Sequence, residues 1–372
     1  MVKAFIHLGA GINSILPLRD YLKKKKYKPI LIDRNPINSI DPWLISEQLP
    51  LNMDKDIYAY VEKMSKKFDI LGAYPVADYA NDVAAEINKR YNPLLGNDKS
   101  IRILRDKYKV NEIILGSGLK IPEPYISNTK NSYNRKFIVK PRYGNDSIGV
   151  HITDTQNPCL IEQARDKNLI IQSKISGTLY NIDAVICKGN VYILSINMRM
   201  PLRENELITR FTIQTNSIQS FISEPLEGYV SKVVDTLNYS NGPITIDCII
   251  DKYGVVTFLE ASPFLHKPWL NKMGSSVSPF IKIADLYDSI KYNTDFVFNC
   301  YPSYVSFEYI NYTNTAEELQ SIKYLSSIAN EVYIDSAWSN YQNSNARIKS
   351  IILGKVDMEN LHMLLQAYDK LG

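Results

Sequence analysis

The chain has 372 residues, 45% of them apolar and 22% charged. At about 150 residues per domain, this suits two or three domains with ample core and excludes a disordered chain or a small disulfide scaffold. Lys and Arg number 43 against 39 Asp and Glu, and the net charge of +4 argues against a nucleic-acid binder. Cys159, Cys187, Cys248 and Cys300 form no CxxC pair, so neither a zinc knuckle nor a redox pair is expected. No run approaches the roughly 20 apolar residues of a membrane span, and the start MVKAFIHLGAG lacks the basic leader and cleavage site of a signal peptide. The composition leads us to expect a soluble cytoplasmic protein with no membrane and no nucleic-acid partner.

In chain order, residues 3–8 (KAFIHL) read as a buried strand, Gly9 and Gly11 open a turn, and Ile12 to Lys26 carry apolar residues at helical spacing. Residues 29–33 (PILID) form the next strand, ending on an acid as in nucleotide-binding Rossmann units. The glycine fingerprint is incomplete because Ser14 stands where a third Gly belongs. Residues 69–75 (DILGAYP) predict another strand, and Tyr79 to Lys89 its helix. A helix is expected from Lys99 to Leu115, capped by Asn97 or Asp98 and stopped by GSGLKIPEP. Residues 136–262 then read as antiparallel strands joined by short turns. After about residue 295, two strand-like runs (SYVSFEYI and RIKSIIL) alternate with two helical ones (AEELQSIKYLSSIA and MENLHMLLQAYDKL).

The segment FIVKPRYGNDSIGV, residues 137–150, delivers Lys140 at the end of an apolar strand. The loop that follows carries Gly144, Ser147 and Gly149, and such a loop lets backbone amides and a hydroxyl close over phosphates. In ITIDCIIDKYGVVTFLEAS, residues 244–262, the turn DKYG predicts a hairpin in which facing residue numbers sum to 505 and Asp247 opposes Phe258. Alternation then puts Glu260 and Ser262 on the same face as Asp247. Diagonal neighbours on one face lie roughly 7–8 Å apart, near enough for two carboxylates to share Mg²⁺ held at about 2.1 Å. A solvated or salt-bridged face is the other reading of the same pattern.

These segments together resemble the ATP-grasp superfamily. The resemblance spans most of the chain and implies an α/β and α+β fold: a Rossmann-like domain over residues 1–95, an ATP-grasp module of antiparallel sheets and helices over 96–292, and a small C-terminal α+β piece over 293–372. It implies that Lys107 and Lys140 hold the phosphates of ATP, with Gly144, Ser147 and Gly149 in the loop above them. It further implies that Gln172, Ser173, Lys174 and Ile175 of the hinge IQSKISGTLYNID hold the adenine, and that Asp247, Glu260 and Ser262 bind Mg²⁺ or Mn²⁺.

The chain departs from the family pattern at Ser173 and Leu179, where relatives often carry acids, at Ser262, where they carry Asn, and at Phe264, where many place a substrate-binding arginine. Arg199, Arg203 and Arg210 in NMRMPLRENELITR could replace that arginine, a planar fork suited to a carboxylate. His266 and Lys267 follow the metal strand. The expected activity is an ATP- and Mg²⁺-dependent ligase that activates a small-molecule carboxylate as an acyl phosphate and joins it to an amine, releasing ADP and phosphate. The sequence also resembles the carbamoyl-phosphate synthase large subunit in one module, and a homodimer is compatible with the reading. A catalytically weakened ATP-binding regulatory protein is the alternative. A nicotinamide oxidoreductase, resting on LGAG and Asp33, ranks third.

Overall fold

The computed structural model describes residues 1–9, 21–34, 43–51, 55–76, 78–95, 98–125, 135–144, 147–154, 166, 168–201, 209, 211–214, 226–266, 279–298, 304–311, 316–335, 342–343, 346–347, 350–357 and 361–371. Its first sheet is parallel. Strand β1 (Val2–Leu8) pairs with β2 (Lys28–Asp33) and with β4 (Phe68–Pro75), and β2 pairs with the four-residue β3 (Ile45–Gln48), giving the order β3-β2-β1-β4. Its inner strands are near-continuous apolar runs because both faces are covered, as parallel sheets require. Helices α1 (Lys55–Ser65) and α2 (Asn81–Tyr91) supply Ile57, Val61, Met64, Val83, Ala84 and Ile87 to its core. Gly9 ends β1 at φ +87, and a Cβ there would meet the Tyr79 hydroxyl oxygen at 2.8 Å.

The expected single helix from Lys99 to Leu115 is two, α3 (Asp98–Arg105) and α4 (Lys107–Gly116). The break falls at Asp106, whose extended backbone and side chain cap α4 by accepting the Lys109 amide. An N-capping aspartate inside an apolar-periodic run looks the same in sequence as a solvent-facing one. Next comes a small antiparallel sheet of β5 (Lys136–Pro141), β6 (His151–Asp154) and β7 (Leu169–Ser173), in the order β6-β5-β7.

The third unit is an eight-stranded sheet. It contains β8 (Thr178–Cys187), β9 (Asn190–Met200), β10 (Phe211–Gln214), β11 (Gly242–Ile250), β12 (Val256–Ser262), β13 (Tyr304–Asn311), β14 (Glu331–Asp335) and, after the two-residue pair β15 (Gln342–Asn343) and β16 (Ala346–Arg347), β17 (Ser350–Asp357). The order is β12-β11-β8-β9-β10-β13-β17-β14. Strand β10 links the two halves, with Phe211 opposite Met200 on one side and Tyr309 on the other. Strands β13, β17 and β14 thus continue the large sheet, while β15 and β16 pair with each other. Helix α5 (Leu226–Thr236) packs on the apolar face of the first half, and α6 (Pro279–Tyr292) fits between this sheet and the parallel one. Helices α7 (Ala316–Ile328) and α8 (Leu361–Leu371) cover the second half through Leu325 and Leu364. No helix among the described residues is long and apolar enough to cross a membrane.

The β11–β12 hairpin departs from its expected register. The three residues Lys252, Tyr253 and Gly254 form the loop, with Gly254 at φ +78 and the Asp251 carboxylate accepting the Tyr253 and Val255 amides, so Cys248 faces Phe258. A bulge between Asp247 and Cys248 then shifts the pairing again and sets Asp247 directly opposite Glu260. Asp247 and Glu260 stay on one face, closer together than the diagonal reading placed them.

Candidate active site

Between the three-stranded sheet and the first half of the large one lies a cleft of about 770 Å³. Its lining gathers Lys107, Lys140, Gly144, Ser147, Gln172, Ser173, Lys174, Ile175, Arg199, Asp247 and Glu260 from six elements and two loops. Gly149 and Ser262 are described but do not line it. Arg203, Arg210 and Lys267 lie outside the described residues.

Each charged group is positioned by local chemistry. Lys107 is the first residue of α4, held there by the Asp106 cap. Asp106 is gripped in turn by Arg142, whose Nε and Nη2 donate at 2.7 and 2.6 Å, and by the Tyr143 hydroxyl at 3.0 Å. Burial works to raise the Asp106 carboxyl, but these donors win and its pKa falls to about 2. The clamp fixes the start of the glycine loop to the start of α4: the Lys107 amide donates to the Arg142 carbonyl at 3.3 Å, and Lys107 Nζ donates to the Gly144 carbonyl. Inside the loop Ser147 takes φ +56 and Gly149 φ +75, backbone conformations in which amides can turn towards one point.

Lys107 Nζ also lies 3.5 Å from a Glu260 oxygen, and Lys140 Nζ donates to the Leu259 carbonyl at 3.5 Å. The hairpin bulge frees that carbonyl from the ladder. Burial in the cleft lowers the Lys140 pKa, helped by Lys107 and opposed by Glu260 and Asp247. Burial also raises the Asp247 carboxyl, and the facing Glu260 adds to the effect against weaker opposition from Arg199 and Asn181. Glu260 goes the other way: burial alone would raise it, but Lys107 and Lys140 outweigh burial and hold it low. Arg199 Nη1 lies 3.6 Å from an Asp247 oxygen, its Nε donates to Thr209 at 3.0 Å, and the Asn181 amide donates to Asp247.

A divalent cation fits this set. Two directly opposed carboxylates in the cleft wall, the buried one driven towards its neutral form, are the few hard oxygen ligands that Mg²⁺ takes from a protein when substrate phosphates supply the rest. Among the described residues no group of three His, Cys, Asp or Glu side chains forms a fuller cage.

The hinge residues are close-packed. Ser173 donates its hydroxyl and its amide to the Glu123 carbonyl at 3.2 and 2.8 Å. Gly177 at φ +149 passes so near β11 that a Cβ would meet the Ile250 carbonyl oxygen at 2.6 Å. Phe264 is buried in the cluster that joins the large sheet to the parallel one, beside Phe5, Tyr74 and Tyr287. A packing role thus occupies the position where the resemblance places an arginine. The sequence reading missed Leu365, an α8 side chain that reaches the cleft beside Met200 and Thr209.

A small antiparallel sheet set over a larger one, with Lys140 on the first, opposed carboxylates on the second and Lys107 at the helix start beside them, frames a two-jawed cleft. Residues 104–263 match the family model described as ATP-grasp domain. The fold of the chain is similar to that of L-amino acid ligase from Bacillus licheniformis (TM-score 0.71, 16% identity, 99% of this chain and 97% of that one). It is also similar to phosphoribosylglycinamide synthetase from Anaerococcus prevotii (0.68, 16%, 99% and 98%). A third similar structure is N5-carboxyaminoimidazole synthetase from Staphylococcus aureus complexed with ADP (0.70, 14%, 100% and 98%). No curated protein sequence matches the chain.

Proposed function

We propose that the protein is an ATP-dependent ligase that activates a carboxylate and couples it to an amine. The observation that carries this is the single cleft holding Lys107, Lys140, Arg199, Asp247 and Glu260 together. Lys107 and Lys140 neutralise the nucleotide phosphates, the loop from Gly144 to Gly149 closes over them and excludes water, and Gln172 to Ile175 hold the adenine through backbone groups. Asp247 and Glu260 would hold Mg²⁺, with Ser262 a further hydroxyl on the strand of Glu260, and the cation would supply neutralisation of phosphate charge. Arg199, with Arg203 and Arg210 of the following segment, receives the anionic acceptor.

In this reading a carboxylate oxygen attacks the γ-phosphorus, the bond to the β-phosphate oxygen breaks, and ADP leaves. The amine nitrogen then attacks the acyl carbon, phosphate departs with the former carboxylate oxygen, and the amine loses a proton. The neighbours whose names state a joining reaction, L-amino acid ligase among them, support this reading through fold alone. The test is ADP release across a panel of amino acids and small carboxylates, with hydroxamate trapping of the acyl phosphate. Oxygen-18 passing from labelled carboxylate into phosphate is the expected result. Stimulated turnover to AMP and pyrophosphate overturns the mechanism, and nucleotide binding without stimulated turnover leaves a nucleotide-binding protein instead.

A further inference from the structure

An antiparallel sheet with one apolar and one polar face ordinarily gives the polar face to water. Here the polar face is buried as well. Asn181 and Asp183 of β8, Ser195 and Asn197 of β9, Thr212 and Gln214 of β10, and Thr245 of β11 are each at most 2% exposed. Cross-strand pairing makes a continuous row of Glu260, Asp247, Asn181, Asn197 and Gln214, with Arg199 opposite Thr212 two residues along.

The face divides into a satisfied part and an unsatisfied one. Asp183 accepts from Ser195, Thr245, the His266 amide and Asn197, and its ring of donors closes on itself. Beside it, Asn181 Oδ1, Asn197 Oδ1, Thr212 Oγ1 and Gln214 Nε2 are buried and have no hydrogen-bond partner among the described residues. Buried polar side chains are rarely left so, and four on three adjacent strands point to a ligand rather than to chance. A purely structural network would close, as the one around Asp183 does.

The orphaned atoms have a chemical direction. Asn181 and Asn197 offer carbonyl oxygens, and each gives its own amide N–H to a carboxylate, Asp247 and Asp183 respectively. Donation to a carboxylate polarises the amide and makes its oxygen a stronger acceptor, so a cationic N–H group is the preferred guest. Gln214 Nε2, the Thr212 hydroxyl and the guanidinium of Arg199, which carries more N–H donors than its contacts use, suit a carboxylate. Neighbouring strands are about 4.8 Å apart, which lets an ammonium and a carboxylate carried on one carbon reach both sets.

We infer that Asn181, Asn197, Thr212 and Gln214 form the subsite for the head group of an α-amino acid, its ammonium on the asparagine oxygens and its carboxylate towards Gln214, Thr212 and Arg199. This rests on the ligase reading only for the subsite's place beside the γ-phosphate. The test is calorimetric binding of L-amino acids, each against its des-amino counterpart (L-alanine against propionate, for example), with Mg²⁺ and a non-hydrolysable ATP analogue present. At least one amino acid should bind about 10-fold or more tightly than its counterpart. Thr212→Val, which removes a hydroxyl that is unpaired among the described residues, should weaken that amino acid by about 10-fold and leave the ATP analogue unchanged. Asn197→Leu should abolish the preference over the des-amino compound. Binding by no amino acid, equal binding of both compounds, or an unaltered amino-acid affinity in Thr212→Val overturns the subsite. Stimulation of ADP release by des-amino acids alone keeps the ligase and removes the subsite, whereas amino-acid binding that never stimulates ADP release does the reverse.

Discussion

Asp183 and Asp247 are two buried aspartates on one face of one sheet, on adjacent strands and one diagonal step apart. Asp183 is surrounded by neutral donors, a backbone amide among them, and ties β8, β9, β11 and the residues after β12 together. Asp247 has one amide donor and an arginine at 3.6 Å, and it faces another carboxylate. A charge whose protein partners suffice belongs to the fold. One left in conflict with its neighbour is stabilised only when something else arrives, which is the mark of a binding position.

The largest effect that can break this contrast is on turnover. Glu260→Gln keeps the shape of the side chain and removes the charge that Lys107 and Lys140 hold low. Substrate-dependent ADP release should fall by at least about 100-fold while circular dichroism and melting behaviour stay those of the folded protein. Full activity at saturating Mg²⁺ would mean that the opposed carboxylates are not the metal ligands.

Next is nucleotide affinity. If Lys140 holds the phosphates as proposed, Lys140→Ala should raise the Kd for ATP by about 10- to 100-fold, since its ammonium lines the cleft beside the Leu259 carbonyl. Lys26→Asn removes the same charge at a left-handed helix end with φ +58, a conformation Asn tolerates, and should leave the Kd within about twofold. Equal losses in both variants would show a response to net charge instead of position.

Asp183 should answer in stability, not catalysis. Asp183→Asn turns one acceptor oxygen into a donor that meets the Asn197 amide, and equilibrium urea unfolding should show a loss of about 1–3 kcal/mol. Unchanged stability would remove the structural role given to it.

How far these roles could be read from sequence depends on which interactions are local. The strands FIVKP and ITIDCII declare themselves by alternation and by their punctuating Pro and Gly, and the shared face of Asp247 and Glu260 survives any register in which they stay in step. The register itself was not legible, because the bulge at Asp247 and the three-residue loop each shift it by one and neither changes the pattern of apolar residues. Asp106 as a cap was hidden for the same reason, since its partner Arg142 is 36 residues away. Strand β10 is only four residues long, and its Thr212 and Gln214, like Asn181 and Asn197, alternate with apolar neighbours as in any half-exposed strand. Their burial comes from tertiary packing, which a pattern of period two cannot report.

The smallest predicted effect tests the conflict at Asp247 by its pH dependence. Its carboxyl titrates above the ordinary range because burial and Glu260 disfavour the charged form. With the folded pKa above the unfolded one, the folded state holds the extra proton, so the contribution to stability is present below about pH 4 and is lost as pH rises towards neutrality. Asp247→Asn still accepts the Asn181 amide but has no proton to lose. In metal-free buffer, the wild type should therefore lose stability relative to Asp247→Asn between about pH 4 and 7, by on the order of 1 kcal/mol. Adding Mg²⁺ with an ATP analogue should reverse the order at neutral pH, since the ionised carboxylate then gains the partner it lacks. A wild type that gains on the variant across the same window without metal would show that Arg199 and Asn181 already satisfy Asp247, and the contrast with Asp183 would collapse.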